Sequence, residues 1–383
     1  MNRLEQLDSI RGIAALFVFF NHVLLMFPIM YGDQYGVGIT LLKDTPIHLL
    51  WGGHEAVLIF FILSGYVLSL SFLSRKAVTY TTYLKKRIVR LYIPFVVALM
   101  FAIVMNSLLF SSNNLTGTSE WINHQWSEYK WTDILWHVLF IGEFDTHVFN
   151  GPVWSLVHEM RVSIIFPLLM VCILKLSWFK NLLIMGAFSV IGFLLSKLTG
   201  SSSIDYFITL HYAAIFMAGA LLAKHQHDIS KHFKKMHEWQ VNLMIVCSIL
   251  LLTYNYWFLP SLKLIHIEIL SDWIATVGAA VWIVLAVSSA KVTRFLLQRP
   301  LMFVGKISYS FYLYHFIVIL SMMYAFNGKL PLWGIALISL AITLILSSIM
   351  YRIVEMPSIQ LTKKFGKSNT IISSKQRNQK EIS

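Results

Sequence analysis

Ten apolar runs, separated by short polar segments, divide the chain. They lie near 10–30, 55–74, 91–111, 153–175, 179–198, 206–224, 241–259, 269–290, 304–326 and 331–354. Each is close to the roughly 20 residues that an α-helix needs to cross a hydrocarbon core of about 30 Å. The pattern predicts an all-α integral membrane protein with about ten transmembrane helices, forming one polytopic domain over residues 1–362. Residues 363–383 read as a basic, disordered tail in the cytoplasm or against anionic lipid. No repeat of 20–50 residues is visible.

Composition agrees with this reading. Hydrophobic residues make up 57% of the chain and charged residues 13%, where a soluble domain has about a quarter charged. Mean hydropathy is +0.67. The net charge of +13 is mainly a topology signal. Alternate loops carry a single cation each, namely Lys43, Lys130, Lys197, Lys263 and Lys329. Arg161 lies inside a span, and the remaining Lys and Arg fall on the other side. The positive-inside rule then places both termini in the cytoplasm of a multi-pass protein of the cell (inner) membrane. Charge spread over so many segments is no nucleic-acid footprint. Cys172 and Cys247 both fall within spans, so neither a disulfide framework nor a metal site is expected. The first span is too long and too polar to be a cleaved signal peptide.

Ionisable residues inside spans point to function, because charge in hydrocarbon is costly. Asp8, Arg11 and His22 share one face of the first span, with Arg11 and His22 roughly 16 Å apart along the axis. A helix starting at Asp8 with a snorkelling Arg11 would account for the first two, but His22 lies too deep for that. Glu159 and Arg161 are the charged residues well inside a span. Two residues apart, they diverge on the helix, so each needs another partner. His22 and His315 are at a matching depth. A second layer at the cytoplasmic edge holds Asp8, Arg11, Arg352, Glu355 and the basic run 85–90. There Arg87 and Arg90 form an i,i+3 pair suited either to a phosphorylated ligand or to plain positive-inside charge. The external segment 111–152 carries Trp121, Trp126, Trp131 and Trp136, which read as interface anchors or, less simply, as a sugar-stacking surface.

These residues resemble the acyltransferase-3 type of multi-pass membrane O-acyltransferases, which includes bacterial O-antigen and exopolysaccharide acetylases. The resemblance runs from Leu7 to about Pro357. It rests on Arg11 with His22, Phe60-Phe61-Ile62-Leu63-Ser64-Gly65-Tyr66, Arg87-Ile88-Val89-Arg90, Trp154-Ser155-Leu156 with Glu159, Ser308-Tyr309 through His315, and Glu355-Met356-Pro357. Leu58 stands where many members have an acidic residue. The esterase-like domain that many large members append is not expected here, leaving the chain to act alone or with a separate extracytoplasmic partner protein.

The resemblance implies transfer of an acyl group, usually acetyl, from cytoplasmic acyl-CoA as co-substrate to a hydroxyl of an envelope glycan, with no metal. His22 is expected as general base, with Glu159 orienting it and Asp8 and Arg11 contributing to the catalytic face. Arg11, Arg87 and Arg90 would hold the acyl-CoA phosphates. Arg161, Tyr309, Tyr312 and His315 would contact substrate, and Arg161 or His315 would stabilise the oxyanion. An acyl-His22 intermediate is the rival mechanism. From another class, a secondary transporter or flippase would use Glu159 and Arg161 as an intramembrane relay.

Overall fold

The computed structural model describes residues 4–30, 37–74, 79–200, 202, 204–257 and 268–365. The tail beyond Phe365, and Arg3, Arg75, Lys76 and Lys263 of the charge pattern, lie outside the described residues. Helices stand at all ten predicted positions: α1 (Glu5–Leu24), α2 (Gly53–Leu73), α3 (Tyr80–Leu109), α4 (Trp154–Lys175), α5 (Trp178–Thr199), α6 (Ile208–Lys224), α7 (Glu238–Leu252), α8 (Glu268–Ser288), α9 (Arg299–Phe326) and α10 (Leu332–Met350). Eight are long and apolar enough to cross a membrane, while α6 and α7 are apolar but shorter. No strand forms among the described residues. The chain is an all-α, multi-pass membrane protein.

Local sequence sets the ends. Thr79 and Ser177 cap α3 and α5 by accepting from Thr82 N and Lys180 N, as short hydroxyl side chains do at helix starts. α1 begins earlier than the hydropathy pattern predicts and stops at Leu24. Pro28 disfavours helical backbone at the residue before it, and a short 3-10 turn follows at Pro28–Met30. His22 therefore sits in the last turn of α1, not at the middle of a span.

α9 is the central post. In its most apolar stretch 78% of residues are buried inside the protein, against 22% for α5 and for the helix that begins α10. The peripheral helices present large apolar side chains outward, Leu108, Leu168 and Leu198 among them, a surface that only lipid covers without cost. α1 packs on α9, and α2 on α6. Both crossings are close enough to require glycine. A Cβ on Gly12 of α1 would lie 2.5 Å from Gly305 N of α9, and one on Gly65 of α2 would strike the backbone oxygen of Phe216. Gly65→Ala should therefore destabilise the protein by about 1–3 kcal/mol through overpacking. Gly186→Ala, where nothing lies within 4 Å of the added methyl, should stay within about 0.5 kcal/mol of wild type. Thermal unfolding of both variants in detergent checks this, and equal melting would refute the close crossing.

α10 does not end cleanly. It passes through a π-helical turn, Tyr351–Glu355, and the helix continues to Phe365. The helical region thus extends three residues into the segment expected to be tail.

Candidate active site

A cavity of about 580 Å³ opens at the face of the bundle where α1 begins. Its charged lining comes from Asp8 and Arg11 of α1, Arg87 and Arg90 of α3, Glu159 of α4, and Lys306, Glu355 and Lys363. Deeper in, Phe60, Phe61, Ser64, Ser155, Tyr309 and Tyr312 complete it. Seven of the residues singled out from sequence (Asp8, Arg11, Arg87, Arg90, Glu159, Tyr309 and Tyr312) thus meet around one space.

The centre of the charged layer is an ion pair. Arg87 Nη2 donates to Glu159 Oε1 at 2.7 Å. Its Nε and Nη2 also donate to Ser163 Oγ at 3.1 and 3.0 Å, and Ser64 Oγ donates to the same Glu159 oxygen at 3.1 Å. Arg87 is buried, while Arg90 is exposed at the mouth, so the i,i+3 pair is not a symmetric fork. Arg11 Nη1 lies 3.4 Å from Asp8 Oδ1. Arg90 is near enough to feel the charges of Arg11 and Arg87 on one side and of Glu355 and Asp8 on the other. Tyr309 and Tyr312 each commit a hydroxyl to backbone, donating to Leu91 O at 2.7 Å and to Pro152 O at 2.9 Å. At the π turn, Glu355 Oε2 accepts from Ser310 Oγ at 2.6 Å.

His22 and His315 are not part of this lining. His22 Nδ1 lies 3.0 Å from His315 Nε2, and His315 Nδ1 lies 2.8 Å from the carbonyl oxygen of Tyr312. The pair therefore stands one helical turn beyond the cavity's Tyr312. His315 is fully buried. His22 is partly buried, with Trp121 stacked on it at 5.7 Å and 13°. The hydrogen bonds fix the tautomers. A carbonyl only accepts, so His315 carries its proton on Nδ1 and, when neutral, offers a bare Nε2. His22, which also hydrogen-bonds the Val18 backbone, then donates from Nδ1 when both rings are neutral and carries its lone pair on Nε2.

Two expected contacts differ. Glu159 does not orient His22, because its partners are Arg87 and Ser64; the imidazole that matches His22 in depth pairs with it directly. Arg161 is remote from the cavity lining. Its Nε donates to Ile141 O at 2.9 Å, Nη2 to Gly142 O at 2.8 Å, and Nη1 to Ile204 O at 2.7 Å and Asp205 O at 3.2 Å. Its guanidinium lies 4.1 Å over the Tyr206 ring. So engaged, it ties the segment preceding α4 to the one preceding α6. Glu159 and Arg161 thus have different partners. The four tryptophans also divide. Trp121 stacks on His22, Trp126 is buried with Nε1 donating to Phe149 O at 3.0 Å, and Trp131 and Trp136 are exposed. Nearby His137, outside the spans, donates to Asp133 O, and burial lowers its pKa.

A family model described as an acyltransferase domain matches residues 4–352. Among curated relatives, the O-acetyltransferase OatA of Staphylococcus aureus is 24% identical over 367 residues, covering 86% of this chain and 58% of that protein. A putative O-acetyltransferase of the same organism, strain COL, is 26% identical over 338 residues, covering 80% and 53%. The chain thus spans little more than half the length of these relatives. No solved structure matches it.

Proposed function

The chain belongs to the acyltransferase-3 family, whose domain covers residues 4–352, and from that membership we propose that it moves an acetyl group from acyl-CoA to a hydroxyl of an envelope glycan. The observation that carries this reading is the juxtaposition of a cation-lined cavity with a pre-oriented imidazole pair one helical turn deeper. The positive-inside charge pattern supports a cytoplasmic mouth for the cavity, on the side where acyl-CoA is available. Arg11, Arg87 and Arg90 then face the nucleotide phosphates, and the aromatic shaft of Phe60, Phe61 and Tyr312 receives the apolar arm.

His22 is the general base. Its Nε2 takes the proton of the acceptor hydroxyl as the oxygen attacks the thioester carbonyl carbon. The C–S bond breaks from the tetrahedral intermediate, and the same proton passes to the departing thiolate, so charge and atoms balance. An imidazole suits both halves because one ring nitrogen can take a proton and give it back. His315 is a positioning residue that holds His22 in the required tautomer, the part a carboxylate plays in a serine-protease triad.

The test uses membranes containing the protein and acetyl-labelled acetyl-CoA. Label should enter the envelope glycan fraction as a base-labile ester. Absence of ester-linked label, with acetyl-CoA intact, would overturn the assignment.

A further inference from the structure

A second cavity, of about 330 Å³, opens at the opposite face of the bundle between the starts of α2, α6 and α8. Its polar lining includes His54, Lys197, His211, Asn255, Glu268 and Asp272. Asp272 joins three helices: Oδ1 lies 2.7 Å from His54 Nε2 and Oδ2 lies 3.1 Å from His211 Nε2. A carboxylate accepts, so both imidazoles carry a proton on Nε2. His211 is 1% exposed and its Nδ1 has no hydrogen-bond partner among the described residues. A buried polar atom left in this state signals a missing partner.

The two cavities are separated by one layer of rings. Phe61 lines the first and Tyr212 lines the second, with centroids 4.7 Å apart. Trp154 flanks both, at 6.5 Å and 5.9 Å. The second cavity's wall also reaches the end of α1 through the chain neighbours of His54 and His22. His54 follows Gly53, and the Asn21 side chain, next to His22, packs so closely on Gly53 that a Cβ there would meet its Nδ2 at 2.6 Å.

We propose that this second cavity is the acceptor's carbohydrate subsite, an inference that rests on the acetyl-transfer reading above. The lining chemistry selects the ligand class. Asp272 and Glu268 repel an anionic head group and Lys197 repels a cation, whereas a neutral, hydroxyl-rich sugar unit can donate to the carboxylates and accept from Lys197 and Asn255. Tyr212 and Phe193 also line the cavity, and Lys197 Nζ is held 4.5 Å over the Phe193 ring. No group of three or more candidate metal ligands occurs among the described residues, so the His54–Asp272–His211 bridge is assigned to hydrogen bonding.

The experiment uses the full chain in nanodiscs, with labelled acetyl-CoA as donor and envelope glycan extracted from the producing cells as titrated acceptor. Asp272→Asn and Glu268→Gln should each raise the acceptor concentration at half-maximal rate by about tenfold or more, the effect of losing a hydrogen bond to a charged group. The Kd for acetyl-CoA should stay within about twofold of wild type. Glu268 is exposed and lies outside the Asp272 bridge, so its variant guards against misfolding. If both variants keep the wild-type half-saturation, the subsite is disproved while the transfer reading stands. A shift in Asp272→Asn alone also overturns it, marking the bridge as a structural clamp. If wild type neither binds acetyl-CoA nor forms ester, the transfer reading itself fails.

Discussion

Replacing His22 with alanine should lower the transfer rate by about 10²- to 10⁴-fold, the contribution of a positioned general base, with little change in acetyl-CoA affinity. The separation is expected because His22 lies beyond the charged cavity, one turn past Tyr312, and pairs with His315. The same arrangement makes a graded prediction for its partner. His315→Leu removes the side-chain partner of His22 Nδ1 and loosens the hold on its tautomer, cutting kcat at unchanged acetyl-CoA Kd. His315→Gln keeps a carbonyl oxygen that can accept from Nδ1 and should retain part of the rate. The assay is ester formation at saturating acetyl-CoA for all three variants at matched expression. Full activity in His22→Ala sinks the base assignment; equal rates for His315→Leu and His315→Gln sink the tautomer argument.

The second large effect falls on Arg87 and Glu159. Arg87→Ala strands a carboxylate that shares its Oε1 between Arg87 and Ser64, in a site where the two side chains are only 10% and 15% exposed. Removing one member of such a pair costs about 3 kcal/mol, the lower end for buried pairs because the cavity admits water. Acetyl-CoA affinity should fall as well, since a cation facing the phosphates is gone. The double variant Arg87→Met with Glu159→Leu has no stranded charge and should recover much of the stability, but not the affinity. Melting and acetyl-CoA binding of Arg87→Met, Glu159→Leu and the double variant form a cycle that separates the effects. Additive losses of stability would show that the two residues do not act as a pair.

Much of the fold was legible in the sequence because one solvent property dominates it. Apolar runs of bilayer length gave all ten helix positions. The ends were less legible, since Leu25–Met30 remain apolar after Pro28 has already turned the chain. The cavity's cations and Glu159 were visible as charges where hydrocarbon should exclude them. Their partners were not. A single helix shows that Glu159 and Arg161 diverge, but only the packing of α3 against α4 delivers Arg87, and only the segments preceding α4 and α6 deliver the carbonyls that occupy Arg161. Matching depth did identify His22 and His315 as belonging to one level, while their direct pairing required α1 to lie on α9 through Gly12 and Gly305. The cavity around Asp272 was missed altogether. Its available signal was an aspartate four residues into α8, together with histidines at the starts of α2 and α6, each unremarkable on its own.

The π turn at Tyr351–Glu355 also governs rotational phase. Ser339, Thr343, Ser347, Tyr351 and Glu355, every fourth residue, are all buried. In a regular α-helix a four-residue step overshoots a full turn by about 40°, so such a row would wind away toward lipid before reaching the cavity. An i→i+5 turn takes in an extra residue and swings the row back. This one irregular turn lets the last helix serve two clients in succession, first the flank of α9 and then the rim of the basic cavity, where Glu355, Ile359 and Lys363 stand in line. Its effect is that of a gear change, keeping distant side chains in step without a break in the helix.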